Sequence, residues 1–106
     1  MRKSVMLIAA SALFLAGYAH AERGVDGKTL YETTCTVCHS LGVAGAPQFG
    51  DAVAWSKRLN ERGLEGLREH ALKGFNSMPA KGTCADCSDK EIFDAIEYMI
   101  KNSIKS

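Results

Sequence analysis

Apolar residues fall along this chain in two regimes. The first is one short block, Val5 to Leu15, interrupted only by Ser11. The rest of the chain is periodic. Gly27, Leu30, Tyr31 and Thr34 recur at helical spacing behind Asp26, whose carboxylate suits an N-cap. Ala52, Trp55 and Leu59 form the inner stripe of a second helix, capped by Asp51 and running to about Asn60. Gly63 separates it from a third helix, Leu64 to Lys73, with Leu64, Leu67 and Ala71 on one face and Gly74 as C-cap. Ser88-Asp89-Lys90-Glu91 reads as a capping box. Ile92, Ile96, Met99 and Ile100 follow it as a strong amphipathic stripe, with Lys101 and Lys105 near the negative helix end. Tyr98 on that helix is placed to reach the first one. Leu41 to Gly50 and Phe75 to Ser88 are loops, punctuated by glycine and proline. No strand pattern or internal repeat occurs. The pattern predicts an all-α fold of about four helices.

The apolar block changes the view of where the protein works. Met1-Arg2-Lys3 precedes it and Ala19-His20-Ala21 closes it, the layout of a secretory signal peptide. The block is too short for a membrane span, which needs about 20 residues. Cleavage after Ala21 leaves one domain, residues 22–106, for the periplasm, with no integral membrane segment. The remaining 85 residues carry 11 basic and 12 acidic side chains. No clustered basic surface suggests a nucleic-acid partner. A chain this short builds a modest core and usually needs a staple.

Cys35-Thr36-Val37-Cys38-His39 supplies one. It reads C-x-x-C-H, the pattern of covalent c-type haem attachment. Two cysteines one helical turn apart can bond one porphyrin edge, and the histidine beside them can ligate the iron. Pro47, eight residues after His39, offers a backbone carbonyl to orient the other ring nitrogen. Met78 lies 39 residues after His39 in a loop stiffened by Pro79, with two helices between. Its soft thioether is the expected sixth ligand. Met99 competes, but its place on the last helix's inner stripe suits the core. Trp55 needs a partner for its indole N–H if buried, and a haem propionate is the candidate. His70 reads as a surface or haem-edge histidine. Cys84-Ala85-Asp86-Cys87 is a second C-x-x-C. It is open to a structural zinc site shared with the first pair, a reactive thiol pair, or a local disulfide.

C-T-V-C-H, G-A-P-Q-F-G-D, the helix tryptophan, N-S-M-P-A-K-G and T-C-A-D-C-S-D together resemble the cytochrome c5 family, a short branch of the class I c-type cytochromes. The resemblance spans essentially the whole mature chain. It implies a small class I cytochrome c fold wrapped around one haem c. It also implies thioether links at Cys35 and Cys38, axial ligation by His39 and Met78, and a Cys84–Cys87 disulfide. Gly27-x-x-x-Tyr31-x-x-x-Cys35 and Tyr98 match the family's first and last helices, which cross at the small residue. Gly27 is therefore expected at a close helix crossing.

The expected function is electron transfer in a respiratory chain, without enzymatic chemistry, between redox partner proteins. The exposed haem edge is expected near Ala46, Met78, Pro79 and Ala80, with Lys73 and Lys81 flanking it to steer partners. A weak dimer through that edge is left open, as are the donor, acceptor and potential. Two other classes compete: a haem enzyme or gas sensor in which Met78 is displaced, and a zinc or thiol module without haem.

Overall fold

The computed structural model describes residues 24–105. The expected signal segment Met1–Ala21 and the new N-terminus at Glu22 lie outside the described residues. Among those described, the regular elements are all helical, and one isolated β-bridge pairs Phe75 with Met78.

Asp26 caps α1 (Gly27–Leu30) through Oδ1, which accepts the Thr29 N–H at 2.7 Å. The helix does not end there. It passes through a π-helical turn, Tyr31–Cys35, into α2 (Thr36–His39). The expected helix into C-x-x-C-H is present, but the π turn was not anticipated. Its physical origin lies in Thr33, whose hydroxyl donates to the carbonyls of Thr29 at 2.9 Å and Leu30 at 3.4 Å. Side-chain donors of this kind compete with the regular ladder and loosen a helix.

α3 (Ala52–Lys73) is capped by Asp51, whose Oδ1 accepts the Ala54 N–H at 3.0 Å. The second and third expected helices are its two halves. They meet at Gly63, whose φ of 71° only glycine adopts readily. The first half runs past Asn60 to Gly63, and Lys57 and Glu61 pair one turn apart along it at 2.6 Å. Gly74 closes α3 with φ 91° and an N–H to the His70 carbonyl at 2.8 Å.

α4 (Asp89–Ser103) opens on the expected capping box. Ser88 Oγ accepts the Glu91 N–H at 3.1 Å and Glu91 Oε1 accepts the Ser88 N–H at 2.9 Å. Glu91 is buried, and its second oxygen accepts the Val25 N–H at 3.1 Å, which ties the described N-terminus to α4.

α1 crosses α4 at Gly27. A Cβ there would overlap the Asp94 carbonyl oxygen and sit 2.6 Å from its carbon. Glycine lets the two backbones touch, the close crossing that was expected. One core cluster, Leu30, Ala71, Cys87, Ile92, Ala95 and Ile96, lies around this crossing. A second joins Tyr31, Trp55, Leu67 and Met99. Tyr98 does reach the first helical segment: its ring centroid lies 5.8 Å from that of Tyr31, and Phe49 completes the trio at 4.7 Å from Tyr31. No helix among the described residues is long and apolar enough to cross a membrane.

Candidate cofactor site

The elements leave a cavity of about 470 Å³ between them. It is the size of a cofactor site. Cys35, Cys38 and His39 line it from the π turn and α2, and Met78 lines it from the loop after α3. Trp55, Leu67, Ile96 and Met99 supply apolar wall. The tertiary fold therefore brings four residues spread over 44 positions of chain to one space.

His39 is buried and held in one orientation. Its Nδ1 lies 2.8 Å from the Pro47 carbonyl oxygen. A carbonyl only accepts, so Nδ1 carries the proton and Nε2 keeps its lone pair. Burial pushes the His39 pKa down and the Arg58 charge adds to that, against the Pro47 hydrogen bond. Both downward effects favour the neutral ring, the form that ligates a metal. The loop carrying Pro47 is tied from both sides. Phe49 N–H donates to the His39 carbonyl at 2.6 Å, and Arg58 Nη2 donates to the Gly45 carbonyl at 3.2 Å.

Trp55 is 4 % exposed and its ring lies 5.8 Å from that of His39, nearly parallel. Its indole N–H, for which a haem propionate was the expected candidate partner, has a backbone partner. It donates to the Gln48 carbonyl at 3.2 Å, because the His39 loop brings that carbonyl within reach. Trp55 is thus a wall residue whose polar atom is satisfied by backbone.

Met78 ends a four-residue turn closed on both sides. Phe75 N–H donates to the Met78 carbonyl at 3.0 Å and Met78 N–H to the Phe75 carbonyl at 2.9 Å. Gly74 packs under this turn, where a Cβ would lie 3.0 Å from the Met78 carbonyl oxygen. Met99 is 3 % exposed and belongs to the core as expected, though it also touches the cavity.

Cys84 and Cys87 are joined by a disulfide with Cα atoms 5.4 Å apart. Among the described residues, the acidic, cysteine and histidine groups close enough to share a metal are Cys84, Asp86 and Cys87, without the first cysteine pair. The shared four-cysteine zinc site is therefore not assembled. A reactive thiol at Cys35 is also disfavoured: burial pushes its pKa up to about 11, whereas reactive thiols sit in sites that lower it.

The lysines expected to steer partners are engaged. Lys73 Nζ bonds Glu69 at 2.7 Å. Lys81 Nζ donates to the Cys87 carbonyl at 2.8 Å and lies 3.5 Å from Asp89 Oδ1. Lys81 is drawn toward the disulfide turn because that turn presents a carbonyl and a helix-start carboxylate to it. The cations lining the cavity are Lys57, Arg58 and Arg62 on α3, of which Lys57 is likewise paired, with Glu61 at 2.6 Å. Lysines flanking a methionine in sequence were legible; an α3 face turned to the cavity was not.

Residues with no sequence motif also matter at this site. Arg58 anchors the Pro47 loop. Phe75 stacks on His70 with centroids 3.8 Å apart, and the Arg62 guanidinium lies 4.9 Å from the same ring centre. Only the glycine at position 74 and the proline at position 79 hinted that this loop is tightly built.

The fit to a haem rests on three features. The cavity wall is largely apolar, two cysteines stand on one helical turn at its edge, and two neutral soft-to-borderline donors, an imidazole and a thioether, line the same space. Comparison with known proteins agrees. A family model described as cytochrome C oxidase, cbb3-type, subunit III matches residues 22–99. Cytochrome c5 of Ectopseudomonas mendocina is 52% identical over 66 residues, 61% of this chain and 76% of that protein. Cytochrome c5 of Azotobacter vinelandii is 50% identical over 75 residues, 70% of this chain and 90% of the relative. Among solved structures, a chain from the electron transfer complex of nitrite reductase with cytochrome c superposes with TM-score 0.67 at 38% identity, covering 73% of this chain and 93% of that one.

Proposed function

The chain belongs to the cytochrome c5 family, within the class I c-type cytochromes, and we propose that it is a periplasmic monohaem electron carrier of a respiratory chain. Its cofactor is one covalently bound haem c, whose iron takes up and releases a single electron when in place. Residues 1–21 are the export signal and residues 22–106 the working domain. Finding Met1 on the mature protein by N-terminal sequencing would sink that division.

Each part of the site has a task in this function. Cys35 and Cys38 anchor the haem edge through thioether bonds. His39 and Met78 would hold the iron, through an imidazole nitrogen and a thioether sulfur that line the same cavity. Pro47 fixes the His39 ring by accepting its Nδ1–H, which keeps Nε2 aimed into the cavity. Trp55, Leu67, Ile96 and Met99 keep water off the apolar wall. The Cys84–Cys87 disulfide fixes the turn between the Met78 loop and α4. Two axial protein ligands leave no position for a substrate, so the protein is a carrier and not an enzyme. A rigid, dry cleft lowers the reorganisation that each electron transfer requires.

Partners are other redox proteins, donors and terminal acceptors. The relative in complex with nitrite reductase supports a reductase as one such class. Pro79, Ala80 and Phe75 are exposed beside the half-buried Ala46 and Met78, an apolar edge for brief encounters.

The single observation that carries the proposal is the His39 Nδ1 to Pro47 oxygen contact at 2.8 Å, in a cavity shared with both cysteines and Met78. The test is the absorption spectrum of the exported protein. A low-spin c-type spectrum that survives denaturation, with a weak sulfur-to-iron band when oxidised, is expected. Met78→Ala should abolish that band and lower the potential. Colourless protein containing zinc would falsify the proposal.

A further inference from the structure

Phe75 is out of place as a loop residue. It is 39% exposed, so burial alone does not account for its position. Yet its ring lies flat on His70, with centroids 3.8 Å apart and planes 4° from parallel. Arg62 bears on the same ring at 4.9 Å. These two partners stand on opposite sides of the Gly63 break in α3. One ring therefore contacts both halves of the kinked helix.

The backbone of the same residue closes the Met78 turn. Phe75 and Met78 exchange both N–H to carbonyl bonds, at 2.9 and 3.0 Å. Between them Asn76 sits at φ 54°, a left-handed turn conformation that asparagine adopts more readily than most residues. Gly74 lets the chain pass directly beneath the Met78 carbonyl. Met78 is thus fixed at its main chain by one residue, and that residue is fixed at its ring by α3.

We infer that Phe75 is a positioning residue for the Met78 sulfur, acting through its stack on His70 and Arg62. The inference rests on Met78 being the sixth ligand. The stack holds the turn in the conformation that keeps the sulfur in the cavity. Its loss raises the population in which Met78 has swung away. An added ligand binds only that population, so its apparent affinity reports the population directly.

The test is titration of the oxidised holoprotein with imidazole, followed by loss of the sulfur-to-iron band. Phe75→Ala and His70→Ala should each bind imidazole about five- to tenfold more tightly, the factor an aromatic stack of this kind contributes. Phe75→Tyr keeps the ring and should bind as the parent does. The Phe75→Ala/His70→Ala double variant should bind no more tightly than the tighter single, since both remove one interaction. His70→Ala leaves the turn sequence intact, so it reports on the stack even if Phe75→Ala folds poorly. Unchanged imidazole affinity in His70→Ala, or single effects that multiply in the double variant, overturn the inference and leave the ligand assignment standing. A parent protein without the sulfur-to-iron band overturns both.

Discussion

Gly27 shows how a single missing carbon can organise a protein. Its propensity argues against a helix start, by about 1 kcal/mol relative to alanine. Its packing decides otherwise, because α4 passes so close that a Cβ would overlap the Asp94 carbonyl. Backbone cannot yield as a side chain can. Gly27→Ala should therefore destabilise the protein by about 1–3 kcal/mol, the usual penalty of overpacking, despite better helix propensity. Thermal unfolding of the holoprotein should show a midpoint lower by several degrees; an unchanged midpoint would mean the helices can separate freely. His39 makes the complementary point. Its ring is chemically ordinary, and the Pro47 carbonyl at 2.8 Å turns it into a neutral donor with a defined free nitrogen.

The helices owe their ends to local chemistry. Asp26, Asp51 and Ser88 each accept a backbone N–H of the first turn. For Asp26 this has a pH signature. Its carboxyl is held below the ordinary range, first by the Thr29 backbone N–H and then by the Thr29 hydroxyl, with Lys28 adding to it. A carboxyl whose folded pKa is depressed adds stability above its unfolded pKa and loses it as pH falls through the folded one. The stability difference between the parent and Asp26→Ala should thus stay constant above about pH 5 and shrink below about pH 4. Denaturant melts across that range check it. A difference that grows in acid would reverse the sign and exclude the cap. The π turn Tyr31–Cys35 follows a different logic. Such turns cluster at functional sites, and this one delivers Cys35 to the cavity rim.

Taken together, the fold is a shell around its cofactor. The described helices line a cleft of about 470 Å³ whose wall is largely apolar. A haem seated there would cover that apolar wall, at roughly 25 cal/mol per Å² removed from water. A Cys35→Ala/Cys38→Ala variant purified without haem should accordingly show no cooperative thermal transition and little near-UV dichroism from Trp55. A sharp unfolding transition in the haem-free variant would mean the helices close the space by themselves. The charge layout also emerges only here: Lys73 and Lys81 pair locally, and Lys57, Arg58 and Arg62 line the cavity.

Helix positions, the capping box, the export pattern and the candidate ligands are properties of spacing, because hydrophobic period and cap chemistry act over a few residues. The four-helix pattern was legible for that reason. So was Pro47 as partner of His39, since a loop of eight residues from His39 leaves a carbonyl few other places to go. So was the break at Gly63, where a non-helical backbone separates the two expected helices within Ala52–Lys73. The Trp55 donor found Gln48, the steering lysines found local acceptors, and Phe75 found His70 and Arg62. Partner choice of this kind is set by which atoms the folded backbone brings within hydrogen-bond or van der Waals reach. Local pattern names the groups that need a partner, and only the packed chain decides which partner each one meets.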